Sequence, residues 1–563
     1  MPAIQPRRWG QTLALVMLLT LAACASPGAG PTLPYATPTP PGAAVGSPTP
    51  TATVTPTPFA ALPPTPVPTP TLQVYTWALA PQVPAVVREF LTPPQPTDRW
   101  QPAAAADQAT ARLTWATAPD AGAMAGAWTY ALVAPFFSLD EGAALDALQT
   151  RWRGAGPGPV LWVTPETAAA LQAFWGPSDP NAVRQVPPET LLATVWERGG
   201  WAIVPFEALE PRWKVLPVDG RYPWDEGYGL RLPLTWELRE PLPPQVQPPA
   251  LRPNFSPDRL TVVAMTGVTA LVRATAYTME MKGLTYPAED IGPLLAAADI
   301  THISNEVPFD PTCPPPNPVQ QGLKFCSDPR YIALLEAVGT DVVELTGDHF
   351  NDRGPDAVFY TVQMYRERGW AYYGGGENLD DARRPALFEH HGNRIAFVGC
   401  NAKGGGYARA AAHYPGAAAC DWDFLTRQVQ ELRAQGYLPI VTFQHHEYYV
   451  FDPPASMKAD FRRMAEAGAV IVSGSQAHHP HGMAFYRGAL LTYGLGNLFF
   501  DQKGTTPYGD QALIALHYFY ANRHISTRLV PIRFVDFAKP VRMTPAEARA
   551  LLEKVFAVSE GEE

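Results

Sequence analysis

Leu438-Pro-Ile-Val-Thr-Phe443 runs directly into Gln444-His445-His446-Glu447, and Ala469-Val-Ile-Val472 is followed six residues later by His478-His479-Pro480-His481. Apolar runs of this length, bounded by polar residues, read as buried strands. The two knots hold five of the twelve histidines in the chain. Imidazole is a common metal ligand, and in open α/β sheets the ligand crevice lies at the strand ends. The stretch 438–481 therefore predicts an α/β fold with its site in the C-terminal half.

The same alternation extends outward. Strands are predicted at Leu260–Met265, Ile300–Ser304, Val342–Thr346, Ile395–Gly399 and Leu490–Tyr493, where the series ends. Helical patterns at 288–298, 331–338, 356–368, 422–435 and 461–467 fall between them. Such a repeat builds a parallel or mixed sheet with helices on both faces. Polar motifs follow the strands: Asn305-Glu306, Gly347-Asp348-His349, His445-x-Glu447, His479-Pro-His481 and Gly496-Asn497. Glu306, Asp348, His349, His445, His479 and His481 combine oxygen and nitrogen donors, the mixture that divalent Mn, Fe or Zn takes. Two such ions would clamp a phosphoryl group and activate water. Either knot alone reads as a strand cap or a surface loop, but motifs at successive strand ends favour one site. Gly404-Gly-Gly406 reads as a flexible loop, because a phosphate cradle would run into a helix.

Residues 73–245 read as a smaller α/β accessory domain, with strands at 72–77, 159–164 and 201–206 and helices at 84–90, 165–174 and 188–198. Gly200-Trp-Ala-Ile-Val-Pro-Phe206 resembles extracytoplasmic solute-binding domains, and the Pro-rich 241–258 marks the boundary. At the N-terminus, Arg7 and Arg8 precede the apolar Leu13–Leu21 and then Ala22-Ala23-Cys24, a signal-peptide pattern. Its end resembles a bacterial lipoprotein box, which implies cleavage before Cys24 and lipidation of its sulfur; an ordinary secretory signal is the alternative. Residues 25–72 are a Pro/Thr-rich disordered linker that would span on the order of 140 Å if fully extended. Cys313, Cys326, Cys400 and Cys420 then remain, an even set that suggests disulfides in an exported chain. Three connectivities are possible; the local pairs Cys313–Cys326 and Cys400–Cys420 are the expectation. No Cys-x-x-Cys spacing supports zinc. With 17% charged residues, a net charge of −10 and no basic stripe, the composition argues against nucleic acid as a partner.

Residues 260–502 resemble the CapA family of capsule and poly-γ-glutamate synthesis proteins. The resemblance rests on Ile303-Ser-Asn-Glu-Val-Pro308, Leu345-Thr-Gly-Asp-His-Phe-Asn-Asp-Arg-Gly354, Tyr373-Gly-Gly-Gly-Glu-Asn378, His445–Tyr448, His478–His481 and Tyr493-Gly-Leu-Gly-Asn-Leu-Phe-Phe-Asp501. It implies a calcineurin-like, metallophosphatase-type layered α/β domain over 258–545, with a C-terminal helix and tail over 546–563. It also implies metal binding by Glu306, Asp348, His349, His445, His479 and His481. His349 would protonate a leaving group and Asp352 would orient it. Arg353 would hold an anion, with an exposed turn charge as the alternative reading, and Asn497 would close the turn beside the pocket. The family's Gly-Asp after the first strand is here Gly267-Val268, and its Gly-Asn-His is here Gly347-Asp348-His349. The lost carboxylate argues against a full two-metal centre and leaves room for one metal. The expected role is a lipid-anchored, extracytoplasmic component of polymer synthesis or export, meeting an anionic polymer or phosphorylated substrate and other synthesis subunits. The alternatives are a cell-surface phosphoesterase and a ligand-binding protein that has lost activity.

Overall fold

The computed structural model describes residues 73–561 except 96–98, 119–122 and 475–476. The predicted leader, Cys24 and the linker 25–72 lie outside the described residues. The strand Leu438–Gln444 is buried along its whole length. It sits inside a sheet ordered Ala386–His390, Asn393–Asn401, Leu438–Gln444, Ile471–Gly474, Ala489–Thr492, Met483–Tyr486. The three inner pairings are parallel, and a short antiparallel hairpin closes each edge. A second sheet runs Ala371–Tyr373, Val342–Glu344, Ile300–Asn305, Leu260–Met265, Gln511–Tyr520, Arg523–Phe534, Pro540–Arg542. Its first four strands are parallel and the last three pairings antiparallel.

The sheets face each other. Val263, Ile300 and Val342 of one share a core with Ile395, Phe397, Ile440 and Ile471 of the other. On the outer face of the first-described sheet, Leu425 and Val429 of helix Trp422–Ala434 and Phe461 and Met464 of helix Ala455–Ala467 pack on Val441 and Val472. On the opposite outer face, Leu334 and Leu335 of helix Ile332–Ala337 and Val358 and Val362 of helix Pro355–Glu367 cover Ile303 and Val343. The result is a helix–sheet–sheet–helix sandwich, the layered α/β class expected. With both faces covered, the central strands read as continuous apolar runs.

Three expectations change. The strand series continues past Tyr493 into the long hairpin Gln511–Tyr520 and Arg523–Phe534, which lies between Leu260–Met265 and the edge strand Pro540–Arg542 in the second sheet. The helix expected over 288–298 shrinks to Gly292–Leu295 behind a 3₁₀ turn at Tyr286–Ala288, since Pro287 and Pro293 remove backbone donors. The segment at 84–90 is a 3₁₀ turn over Ala85–Phe90.

The N-terminal region builds its own mixed sheet around the long strand Ala123–Pro135, which pairs with Arg231–Leu238, Trp201–Pro205 and Trp213–Leu216. Residues 73–563 form one compact unit. Phe206 packs on Phe255 and Tyr520 at ring separations of 4.8 and 5.0 Å, and Trp224 stacks on Tyr518 at 4.0 Å. One hydrophobic core runs through this seam from Val133 and Val204 to Ile514 and Ile532. Helix Pro545–Phe556 inserts Leu551 and Val555 into the core between the two sheets, with Phe136 of the N-terminal region. Both local disulfides form, Cys313–Cys326 and Cys400–Cys420.

Candidate metal centre

Glu306 follows the strand Ile300–Asn305, and Asp348 and His349 follow its parallel neighbour Val342–Glu344. Side-by-side parallel strands deliver their next residues to the same edge. Gly347 lets the two loops meet: a Cβ there would lie 2.6 Å from the Glu306 carbonyl oxygen. Ligand atoms of Glu306, Asp348 and His349 lie within 4.8 Å of one another, with Glu306 buried and the other two half-buried. Two carboxylates and an imidazole at that spacing suit a divalent cation.

His349 is held from behind. Its Nδ1 donates to Asp352 Oδ2 at 2.7 Å, and the same oxygen accepts the Phe325 N–H at 2.8 Å. The Phe325 ring meets the imidazole edge-on at 4.8 Å. Burial opposes the charged imidazolium, but Asp352, Glu306 and Asp348 outweigh it and raise the His349 pKa to about 9 in the metal-free site. Its Nε2 lies 4.0 Å from Glu306 Oε1. With Nδ1 committed to Asp352, that one nitrogen can hold a proton or ligate a metal, so the two roles predicted for His349 exclude each other in any one state.

The group of three does not include His445, His479 or His481. His445 pairs its Nε2 with Asp460 at 3.0 Å, leaving a buried Nδ1 without a hydrogen-bond partner. His481 donates Nδ1–H to the Val450 carbonyl and keeps a buried Nε2 lone pair without a partner. His479 donates Nδ1–H to the Pro480 carbonyl at 2.7 Å. An imidazole tied through one nitrogen to a carbonyl or carboxylate, with the other nitrogen open, is the form that ligates metals. Burial favours the neutral form of the last two: it lowers the His479 pKa, and with the neighbouring His479 it brings His481 to about 4.

The remaining predicted residues have other partners. Arg353 Nε binds Asp310 at 2.9 Å, beside the Cys313–Cys326 loop. Asn497 Oδ1 pairs with His478 Nδ1 at 2.8 Å and its Nδ2 is buried without a partner. Val268, fully buried, sits in a two-residue strand between Ile300–Asn305 and Asn497–Phe499.

Residues not foreseen in the site complete it. Asn401 ends the strand Asn393–Asn401 and donates to the Thr346 carbonyl at 2.8 Å and to Gln444 Oε1, while Gln444 Nε2 donates to Asp348 Oδ1. Lys403, two residues on, places Nζ 3.0 Å from Asp348 Oδ2 and also pairs with Glu447. Burial would push Glu447 up, but His478, Lys403 and Tyr449 bring it down to about 2. Asn401-Ala-Lys403 carried the available signal: like the other motifs, it is polar sequence at the end of a predicted strand.

Residues 262–502 match the family model described as "Bacterial capsule synthesis protein PGA_cap". The chain is similar to the capsule biosynthesis protein CapA of Bacillus anthracis, 29% identical over 33% of this chain and 46% of that protein. It is also similar to the PGA biosynthesis protein CapA of Bacillus subtilis (strain 168), 24% identical over 47% of this chain and 69% of that protein. A probable polyglutamine synthesis accessory protein of Mycobacterium tuberculosis is 27% identical over 31% of this chain and 49% of its own length. Two of these three alignments thus span about half of the relative's length. Among solved structures, a 5'-nucleotidase precursor from Thermus thermophilus aligns with TM-score 0.31 and 13% identity over 53% of this chain and 58% of its own.

Proposed function

We propose that this chain, whose residues 262–502 match the family model of bacterial capsule synthesis proteins, serves poly-γ-glutamate or capsule polymer synthesis at the outer face of the cell membrane. The observation that carries the reading is the meeting of Glu306, Asp348 and His349 at adjacent strand ends inside the matched segment. A divalent ion bound there would act as a Lewis acid on an oxygen of an anionic polymer or phosphorylated substrate. Glu306 and Asp348 would hold that ion. His349, backed by Asp352, would keep a proton at Nε2 for a leaving group. The outward location is supported by the leader ending in Cys24 and by the two disulfides, which persist in oxidising compartments. Lipid on Cys24 would tether the sandwich through the linker and bring it to other synthesis subunits. In a strain lacking the gene, surface polymer should disappear. It should return with the wild-type chain and stay absent with Asp348→Ala. Normal surface polymer in the deletion strain would overturn the reading.

A second reading, a metal-dependent phosphoesterase, is favoured by the His349–Asp352 pair, an arrangement suited to proton donation. Turnover of a simple phosphodiester by the purified chain, abolished in Asp348→Ala, would support it. No turnover with Mn, Fe or Zn added would dismiss it.

A further inference from the structure

Lys403 lies where a cation is called for. Its Nζ bridges Asp348 and Glu447, and its side chain is 24% exposed. The ammonium is held in place from several sides. Asn401 fixes the strand end two residues earlier and accepts the Gly404 N–H at 2.6 Å. The Cys400–Cys420 disulfide closes the loop, and Tyr449 OH donates to the far oxygen of Glu447 at 2.6 Å. A lysine in such a setting is a fixed unit charge at a metal ligand rather than a solvated surface group.

The opposite change appears at Val268. Where the resemblance calls for a carboxylate, a fully buried valine stands, paired with Ser304 and Asn497. Asp348, standing where the resemblance calls for Asn, restores the negative charge lost at Val268, and it is this added carboxylate that the Lys403 ammonium meets at 3.0 Å.

We propose that the Lys403 ammonium takes the place of a second metal ion, so that the crevice around Asp348 holds one divalent cation and one built-in organic cation. The proposal rests on the metal-binding reading above. An anionic group entering the crevice would then meet the ion on one side and Lys403 on the other.

The test is Mn²⁺ uptake by the full chain, measured by calorimetric titration and elemental analysis, with the Mn²⁺ electron paramagnetic resonance spectrum as a further readout. Wild type should take up one ion per chain. Lys403→Met, which leaves Asp348 and Glu447 uncompensated, should take up two and show the spectrum of a coupled pair. Lys403→Arg, which keeps the charge, should stay at one and serves as the control for folding. Two ions in the wild type, or a Lys403→Met variant that folds and stays at one, would overturn the proposal while leaving metal binding intact. No uptake by any variant would overturn the proposal together with the metal-binding reading.

Discussion

His349 shows how much a single contact decides. Its ring is clamped through Nδ1 by Asp352, which is in turn clamped by the Phe325 amide, so the imidazole has one nitrogen and one direction to offer. Asp352→Asn should bring the His349 pKa from about 9 back toward 6.5 in the metal-free protein, read by NMR titration of the ring protons. A raised pKa contributes stability that is complete below 6.5 and is lost as pH rises through 9, so the variant should also lose less stability over that alkaline range. An unchanged titration would show that Glu306 and Asp348 alone hold the proton. Glu306, Asp348 and His349 were legible in the sequence because each stands at the end of an apolar strand. Lys403 was less legible: it too follows a predicted strand, but the adjoining Gly404-Gly-Gly406 reads as a flexible loop, and only the fold brings it to Asp348 from the other sheet.

At the scale of elements, legibility follows burial pattern. Leu438–Gln444 is apolar on both faces and was read correctly to within one residue. Ala123–Pro135 escaped because five of its thirteen residues are Ala and one is Gly, which have weak strand preference. The hairpin Gln511–Phe534 escaped because its turn, Ala521-Asn522, takes positive φ at both residues without the glycine that marks such turns. That hairpin buries His517 and His524, which share Thr527 Oγ1 at 2.8 and 2.9 Å. Burial depresses both, His524 to about 3. A histidine held neutral contributes stability that is present above its unfolded pKa and is lost as pH falls toward the folded one. A drop from 6.5 to about 3 corresponds to on the order of 5 kcal/mol. Denaturant unfolding between pH 7 and pH 4 should therefore show a steep acid loss, and His524→Gln should flatten it. Equal slopes for the two proteins would refute this source of acid sensitivity.

At the scale of the molecule, Phe206, Phe255, Trp224, Tyr518 and Tyr520 join the N-terminal sheet and the sandwich through shared packing. Phe206→Ala should cost about 3–5 kcal/mol and lower the melting of both halves together in a calorimetric scan. Two resolved transitions, with only one displaced, would show that the halves melt independently. The disulfides bear on a different part of the molecule. Cys313–Cys326 ends beside the Phe325 amide that steadies Asp352, and Cys400–Cys420 encloses the segment bearing Lys403. Neither crosses the seam or links the two sheets of the sandwich. A reductant would thus act as a selective solvent for the crevice: the grip on a cation and the aim of His349 would fade first, in a protein whose core still stood.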